Sequence, residues 1–195
     1  LFNMSYSVGQ IHKYSVRFYK ELQEETGQDV GFKTVSNIRL ATNRDRMDEY
    51  YQYAGVAETI GVKVNFLTPD QVKEIWPLCN TEGIVGAIQH PDDGYIQPAD
   101  LTQALAKGAR SRGATIHRNT AVIAIERTSG GEWLVKTDRG DITCEHIVSA
   151  TGNFARRTGA MVGLDIPVIP VEHQYIVTDA HPDIVARKEQ GLPEM

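Results

Sequence analysis

Residues 132–152 read EWLVKTDRGDITCEHIVSATG, and they decide the fold that we expect for this chain. Two strand-like runs, 132–138 and 141–150, are separated by a tight turn that contains a glycine. A third run, 120–128, precedes them across a second glycine turn. Strands joined by such short turns pair with their neighbours in sequence, so we predict an antiparallel three-stranded meander.

The last of these strands ends in the small residues Ala150, Thr151 and Gly152. Small side chains at the carboxyl end of a strand let a ligand approach the backbone, and open α/β sheets bind cofactors at such ends. A strand that simply ends in a turn explains the same pattern and is the commoner case. On spacing alone, both interpretations stay open.

Helices and short strands are expected on either side of the meander. Apolar residues at helical spacing predict helices over 7–25, 44–60 and 98–112, and a final strand is expected over 168–178. The inward residues of the three helices are expected to be Val8, Ile11, Phe18, Leu22, Met47, Tyr51, Ala54, Ala57, Leu101, Leu105 and Ala109. The predicted fold class is therefore α/β (α+β mixed).

The composition excludes several classes of protein. The chain has 195 residues, with 41% hydrophobic and 23% charged residues and a formal charge of -5, which is ordinary globular usage. The negative charge provides no attraction to a phosphate backbone, so we expect no nucleic-acid partner. No apolar run approaches the roughly 20 residues that span a bilayer. Two distant cysteines, Cys79 and Cys144, favour a reducing compartment.

Motifs for phosphate and metal binding are missing from the sequence. It contains no Gly-x-Gly-x-x-Gly and no Gly-x-x-x-x-Gly-Lys-Ser/Thr, so we expect no complete pyrophosphate-binding βα turn. The six histidines are scattered without the spacing of metal ligands, and no metal site is predicted.

An ordered set of motifs resembles a known family of flavoenzymes. The set comprises Met4–Ser7, Asp93–Pro98 with the following helix to Ala114, Thr120–Val122, Ala150–Gly152, Ile166–Pro170 and His173–Thr178. In this order they resemble FAD-dependent oxidoreductases of the D-amino-acid-oxidase/glycine-oxidase type. The resemblance is strongest to the dimethylglycine dehydrogenase/sarcosine dehydrogenase branch, and it covers nearly the whole chain.

The resemblance implies a central fragment of a longer, two-part FAD-dependent oxidoreductase. Residues 1–90 would belong to the substrate domain, 91–165 to an FAD-binding domain that lacks its first βαβ unit, and 166–195 to a second substrate-domain portion. The glycine turn and the histidine that carries covalent flavin in this branch would lie upstream, and a tetrahydrofolate-binding part downstream. We therefore expect this fragment alone to bind FAD incompletely and to be inactive.

The resemblance also assigns roles to particular residues. Val122 matches a position whose backbone pairs with the FAD adenine, and Ala150, Thr151 and Gly152 match the strand end beside the cofactor's diphosphate and ribose. His173 and Tyr175 would share one face of a substrate-domain strand as catalytic residues. A tyrosine there can bind a carboxylate and a histidine can accept an amine proton. Packing roles for both side chains stay open.

The activity implied is hydride removal from the N-methyl carbon of dimethylglycine or sarcosine onto FAD. One alternative is a related FAD oxidoreductase for another amino acid or for glycerol phosphate. Arg156 or Arg157 facing the pocket would favour the phosphorylated substrate, although two basic residues on a loop are more often simply solvated. The other alternative is a non-catalytic domain that binds a protein or small ligand.

Further partners follow from the same resemblance. The electron acceptor is expected to be oxygen or an electron-transfer flavoprotein, and open sheet edges favour a homo-oligomer. The location implied is the bacterial cytoplasm or the mitochondrial matrix of a eukaryote.

Overall fold

The computed structural model of the chain describes residues 1–192. Its helices are α1 (Tyr6–Thr26), α2 (Arg44–Ile60), α3 (Pro69–Ile75), α4 (Pro98–Ser111), α5 (Ala155–Ala160) and α6 (Pro182–Glu189), with a short 3₁₀ turn at Gly152–Phe154. Its strands are β1 (Lys33–Thr34), β2 (Asn37–Ala41), β3 (Asn65–Leu67), β4 (Gly86–His90), β5 (Gly94–Tyr95), β6 (Val122–Arg127), β7 (Trp133–Thr137) and β8 (Gly140–Cys144). The mixture of helices and small antiparallel sheets confirms the predicted fold class.

The chain divides into two compact units. The first unit contains Leu1–Thr115 and the described residues from Asp179 onward, and the second contains Ile116–Thr178. The sequence prediction of three portions, with boundaries near residues 90 and 165, rests on the resemblance and stays a prediction.

The first unit is built on helices whose ends are well capped. The Asn43 side chain accepts a hydrogen bond at the start of α2, and Gly61 ends that helix in the left-handed conformation. Thr68 and Gln71 form a capping box at the start of α3. Two antiparallel sheets, β2-β4-β3 and β1-β5, complete the unit. The central strand β4 is paired on both edges and almost entirely buried, because Ile88 packs in a core cluster with Tyr53 of α2 and Ala87 in one with Val72 of α3.

The helix faces that form the core of this unit differ from the predicted ones. On α1 the prediction for Val8 and Ile11 was wrong, since both are exposed and the buried residues are Gly9 and Leu22. Gly9 lies directly against Ile60 of α2, and only a residue without a side chain permits that close approach. The contact therefore rotates the buried face of α1 away from its larger side chains.

The same effect of neighbouring helices appears on α2 and α4. On α2 the buried residues are Tyr50, Tyr53, Ala57 and Ile60, whereas Tyr51, predicted to be inward, is exposed. On α4 the buried residues are Ala104 and Gly108, and Leu105 is exposed. Small residues on α4 allow close contact with α1, so packing distance decides which face is buried.

The second unit contains the predicted meander. Strands β6, β7 and β8 pair antiparallel in that order, with tight turns at Thr128–Glu132 and Thr137–Gly140. The register shifts between Val122 and Ala124, which marks a bulge at the start of β6. The meander was predicted correctly because local turn signals determine it.

Two strand predictions in the second unit were wrong. Strand β8 ends at Cys144, so the stretch 145–150 is not a strand, and Val148 is 90% exposed. The stretch 168–178 likewise contains no strand. A strand requires a neighbouring backbone for its hydrogen bonds, and within residues 1–192 no segment pairs with either stretch.

Within the described residues, none of the helices combines the length and apolar character that crossing a membrane requires.

Candidate functional site

Val122 presents its backbone to an open sheet edge. Ala121, its neighbour, faces β7: its carbonyl accepts a hydrogen bond of 3.1 Å from the Asp138 N–H, and its N–H donates to the Asp138 carboxylate at 2.9 Å. Successive residues of a strand direct their N–H and C=O groups to opposite sides, so those of Val122 point away from β7. Among the described strands none pairs with that edge of β6, and the Val122 side chain is 40% exposed.

Gly152 leaves the end of the small-residue segment accessible. It has φ +53, and a Cβ placed on it would meet no atom within 4 Å. Ala150 and Thr151, just before it, are exposed, and the Thr151 hydroxyl lies 3.2 Å from that of Ser149. A positive φ together with open space permits the close approach of a ligand to the backbone that a side chain would obstruct.

An apolar cleft of about 410 Å³ lies in the second unit, between the meander and α5. Its walls come from β6, β7, the stretch before Gly152, and α5 with the loop that follows. Its lining residues are Ile125, Trp133, Ile147, Ser149, Ala155, Thr158, Gly159, Val162, Leu164 and Ile166.

His173 and Tyr175 lie in the extended stretch after α5, and both are exposed, Tyr175 to 83%. Within residues 1–192 neither side chain has a hydrogen bond or a ring contact. The structure thus brings Ala150, Thr151 and Gly152 together as one segment, but it records no contact between that segment and His173 or Tyr175.

One buried polar pair was not recognised in the sequence. His90 is fully buried in the first unit, and its Nε2 lies 3.0 Å from the Tyr53 hydroxyl oxygen. Residues 90–95 have the composition of a turn, whereas in the structure His90 is the last residue of β4 and pairs with Asn37 of β2. Within the described part of the chain, no group of three or more His, Cys, Asp or Glu could hold a metal ion.

Oxidoreductases of known structure share this architecture. The solved structure of glycine oxidase from Geobacillus kaustophilus superposes with a TM-score of 0.69 at 31% identity, covering 84% of this chain and 45% of that one. The chain belongs to the DAO family, described as FAD dependent oxidoreductase, whose model matches residues 3–194. The predicted family is thereby confirmed.

Two relatives of known activity are similar to this chain in sequence. The chain is 38% identical over 189 residues to mitochondrial dimethylglycine dehydrogenase of Rattus norvegicus, covering 97% of this chain. It is 36% identical over 167 residues to 4-methylaminobutanoate oxidase (formaldehyde-forming) of Paenarthrobacter nicotinovorans, covering 86% of this chain. The chain spans only 22% and 20% of the length of these two relatives.

The geometry at Val122 and Gly152 fits the cofactor that the family uses. The backbone of Val122 offers one donor and one acceptor at an open edge, which suits the edge of a planar base. The absence of a side chain at Gly152 leaves room for a phosphate or ribose against the main chain.

Proposed function

We propose that this chain contributes the adenine- and diphosphate-facing parts of a flavin-dependent amine oxidoreductase that oxidises N-methylated glycine derivatives, dimethylglycine or sarcosine. The observation that carries the proposal is the open backbone edge at Val122, in a chain of an FAD-dependent family. The relatives named above, which act on dimethylglycine, 4-methylaminobutanoate and glycine by their names, support a small amine bearing a carboxylate as the substrate.

Four residues would hold the cofactor. The N–H and C=O of Val122 would pair with the adenine, while Ala150, Thr151 and Gly152 would lie along the diphosphate and ribose. Bound FAD would supply the acceptor for the hydride equivalent that leaves the N-methyl carbon.

Two residues would act on the substrate. The Tyr175 hydroxyl would donate a hydrogen bond to the substrate carboxylate, which fixes the position of the amine. The His173 imidazole would accept the amine proton, because only a neutral amine has the lone pair that assists loss of hydride from the neighbouring carbon.

The cofactor assignment is tested by two matched glycine variants of the polypeptide that carries this chain. Gly152 and Gly163 both have positive φ, and a Cβ at either position would meet no atom within 4 Å. Gly152→Ala and Gly163→Ala therefore introduce similar backbone strain, but only Gly152 lies at the proposed cofactor contact. We expect the flavin content of the purified polypeptide, with covalent and released flavin counted together, to fall in Gly152→Ala and to persist in Gly163→Ala. Equal retention by the two variants would contradict the assignment.

The substrate assignment is tested by dye-linked oxidation of dimethylglycine, sarcosine, glycine and glycerol 3-phosphate by the same polypeptide. We expect kcat/KM to be highest for the two N-methylated substrates, and formaldehyde to be released from them. A preference for glycine or for glycerol 3-phosphate would refute the substrate class while leaving the cofactor assignment intact.

The roles of Tyr175 and His173 are tested separately. Tyr175→Phe is expected to raise KM about ten-fold with a smaller change in kcat, since it removes one hydrogen bond to a charged group. Tyr51→Phe, a change at another exposed tyrosine, is the control and should leave KM unchanged. His173→Gln should lower kcat/KM by at least about ten-fold, because the amine proton then has no acceptor. An unaltered KM in Tyr175→Phe, or an unaltered kcat/KM in His173→Gln, would indicate a packing role.

The remaining expectations for the complete protein stay predictions. They are tetrahydrofolate binding, oxygen or an electron-transfer flavoprotein as acceptor, and a homo-oligomer.

A further inference from the structure

A second cleft in the second unit is not used by the proposed function. It has a volume of about 410 Å³ and is formed by the residues after Gly152 together with the later stretch Val168–Pro170. Its polar side chains are Asn153, Arg156 and Arg157, and its walls are apolar. Arg156 and Arg157 are consecutive residues of α5, and the side chains of consecutive helical residues diverge by about 100°. Both nevertheless line this cleft.

The charge of this cleft is only partly neutralised by nearby groups. Arg156 Nε lies 3.6 Å from Asp165 Oδ1, and both side chains are largely exposed, so this ion pair holds the guanidinium only weakly. Arg157 makes no hydrogen bond or ion pair with any of residues 1–192. In the sequence the nearest acidic residues on either side of the two arginines are Glu145 and Asp165. The cleft is thus a locally positive site in a chain whose formal charge is -5.

We propose that Arg156 and Arg157 form a binding site for a phosphate group carried by an organic molecule. Two guanidinium groups match the charge of a phosphate dianion, whereas a carboxylate needs only one of them. The Asn153 amide can add an uncharged donor. The Phe154 ring, 68% exposed, and Ile169, 80% exposed, offer the apolar contact that the organic part requires.

Two kinds of molecule carry this chemistry: a nucleotide diphosphate, such as that of the flavin cofactor, and a phosphorylated small molecule. The proposal does not depend on flavin binding, because the cleft and its charges are formed by this chain's own residues.

Isothermal titration calorimetry of the 195-residue chain tests the proposal, with pyrophosphate, glycerol 3-phosphate, FAD and acetate as the probes. We expect pyrophosphate to bind more tightly than acetate, and Arg157→Gln to weaken pyrophosphate binding about ten-fold, the usual effect of losing one charge-assisted hydrogen bond. Arg157→Lys should retain part of the affinity, because it keeps the positive charge but loses the planar guanidinium that can donate two parallel hydrogen bonds to a phosphate. Arg139→Gln removes an exposed arginine on the β7–β8 turn and should leave binding unchanged.

The probes separate the two sources of phosphate. A loss confined to pyrophosphate and FAD supports the nucleotide, and a loss for glycerol 3-phosphate supports a phosphorylated small molecule. The proposal is overturned if neither phosphate binds better than acetate, or if Arg157→Gln and Arg139→Gln weaken binding equally. Flavin retained in Arg157→Gln but lost in Gly152→Ala would exclude the flavin diphosphate as the ligand of this site and would support the proposed function. Phosphate binding that Arg157→Gln weakens, in a polypeptide that binds no flavin, would support this site and refute the cofactor assignment.

Discussion

Acid should destabilise the first unit through His90. The His90 ring is fully buried, and the Tyr53 hydroxyl donates to the Leu1 carbonyl at 3.2 Å, so the proton between the pair belongs to His90 Nε2. Nδ1 is then the atom that acid would protonate, and it has no hydrogen-bond partner among residues 1–192. Burial is the main cause that lowers the pKa of His90 from 6.5 to about 4. Among the neighbouring side chains, Asp93 opposes this shift and Arg39 adds to it.

The sign and size of the effect follow from that pKa. The folded chain holds His90 neutral while the unfolded chain protonates it below pH 6.5, so its stabilisation is fully present above that pH and is lost as the pH falls toward about 4. The total loss is about 3 kcal/mol of the free energy of unfolding, of which about 2 kcal/mol is lost by about pH 5.

Urea unfolding followed by tryptophan fluorescence at about pH 8 and about pH 5 measures this loss. His90→Gln keeps a donor for Tyr53 but does not titrate, so its stability should fall by about 2 kcal/mol less than that of the wild type between the two pH values. His146→Gln, a change at an exposed histidine, should follow the wild type. Parallel curves for the wild type and His90→Gln would refute the reasoning.

Three further predictions, one of them with a control variant, test the packing of the first unit by the same unfolding measurement. Gly94→Ala should lower the free energy of unfolding by about 2 kcal/mol, because its Cβ would overlap the Lys33 carbonyl of the paired strand. The control Gly55→Ala lies in a helix with no atom within 4 Å of the new Cβ, and it should raise the free energy of unfolding by up to about 1 kcal/mol. Equal effects of the two variants would contradict the close approach of β1 and β5. Thr68→Ala should cost about 1 kcal/mol through loss of the capping box, and no change would mean that α3 is held by packing alone. Ile88→Ala should cost about 3 kcal/mol by leaving a cavity in the central strand, and a loss below about 1 kcal/mol would show that the site collapses.

Local signals made much of the secondary structure predictable. The bounds of α2 were predicted from its apolar spacing and from Gly61 after its last residue, and they agree with the structure. The meander followed from its glycine turns. Caps and tight turns involve neighbours only a few residues apart, so they act in the same way whatever the rest of the chain does.

The candidate site was predictable only in part. The small residues at 150–152 predicted a ligand contact at a strand end, which stays a prediction; in the structure a Cβ at Gly152 would meet no atom within 4 Å. The structure does not contain the strands that were predicted before and after residues 150–152. Strand formation requires a neighbouring backbone as hydrogen-bond partner, and the alternation of apolar and polar residues is not sufficient. The two arginines of the second cleft looked like ordinary solvated residues until the tertiary structure placed both at one cavity.

The family, the ends of the main helices and the order of the meander strands were predictable without a structure, since these depend on ordered motifs and short-range contacts. The structure was needed to show which helix faces are buried, that His90 is enclosed with Tyr53, and that Gly94 lies against Lys33. These features depend on how closely distant segments approach, and that distance is decided by side-chain volume at the contact.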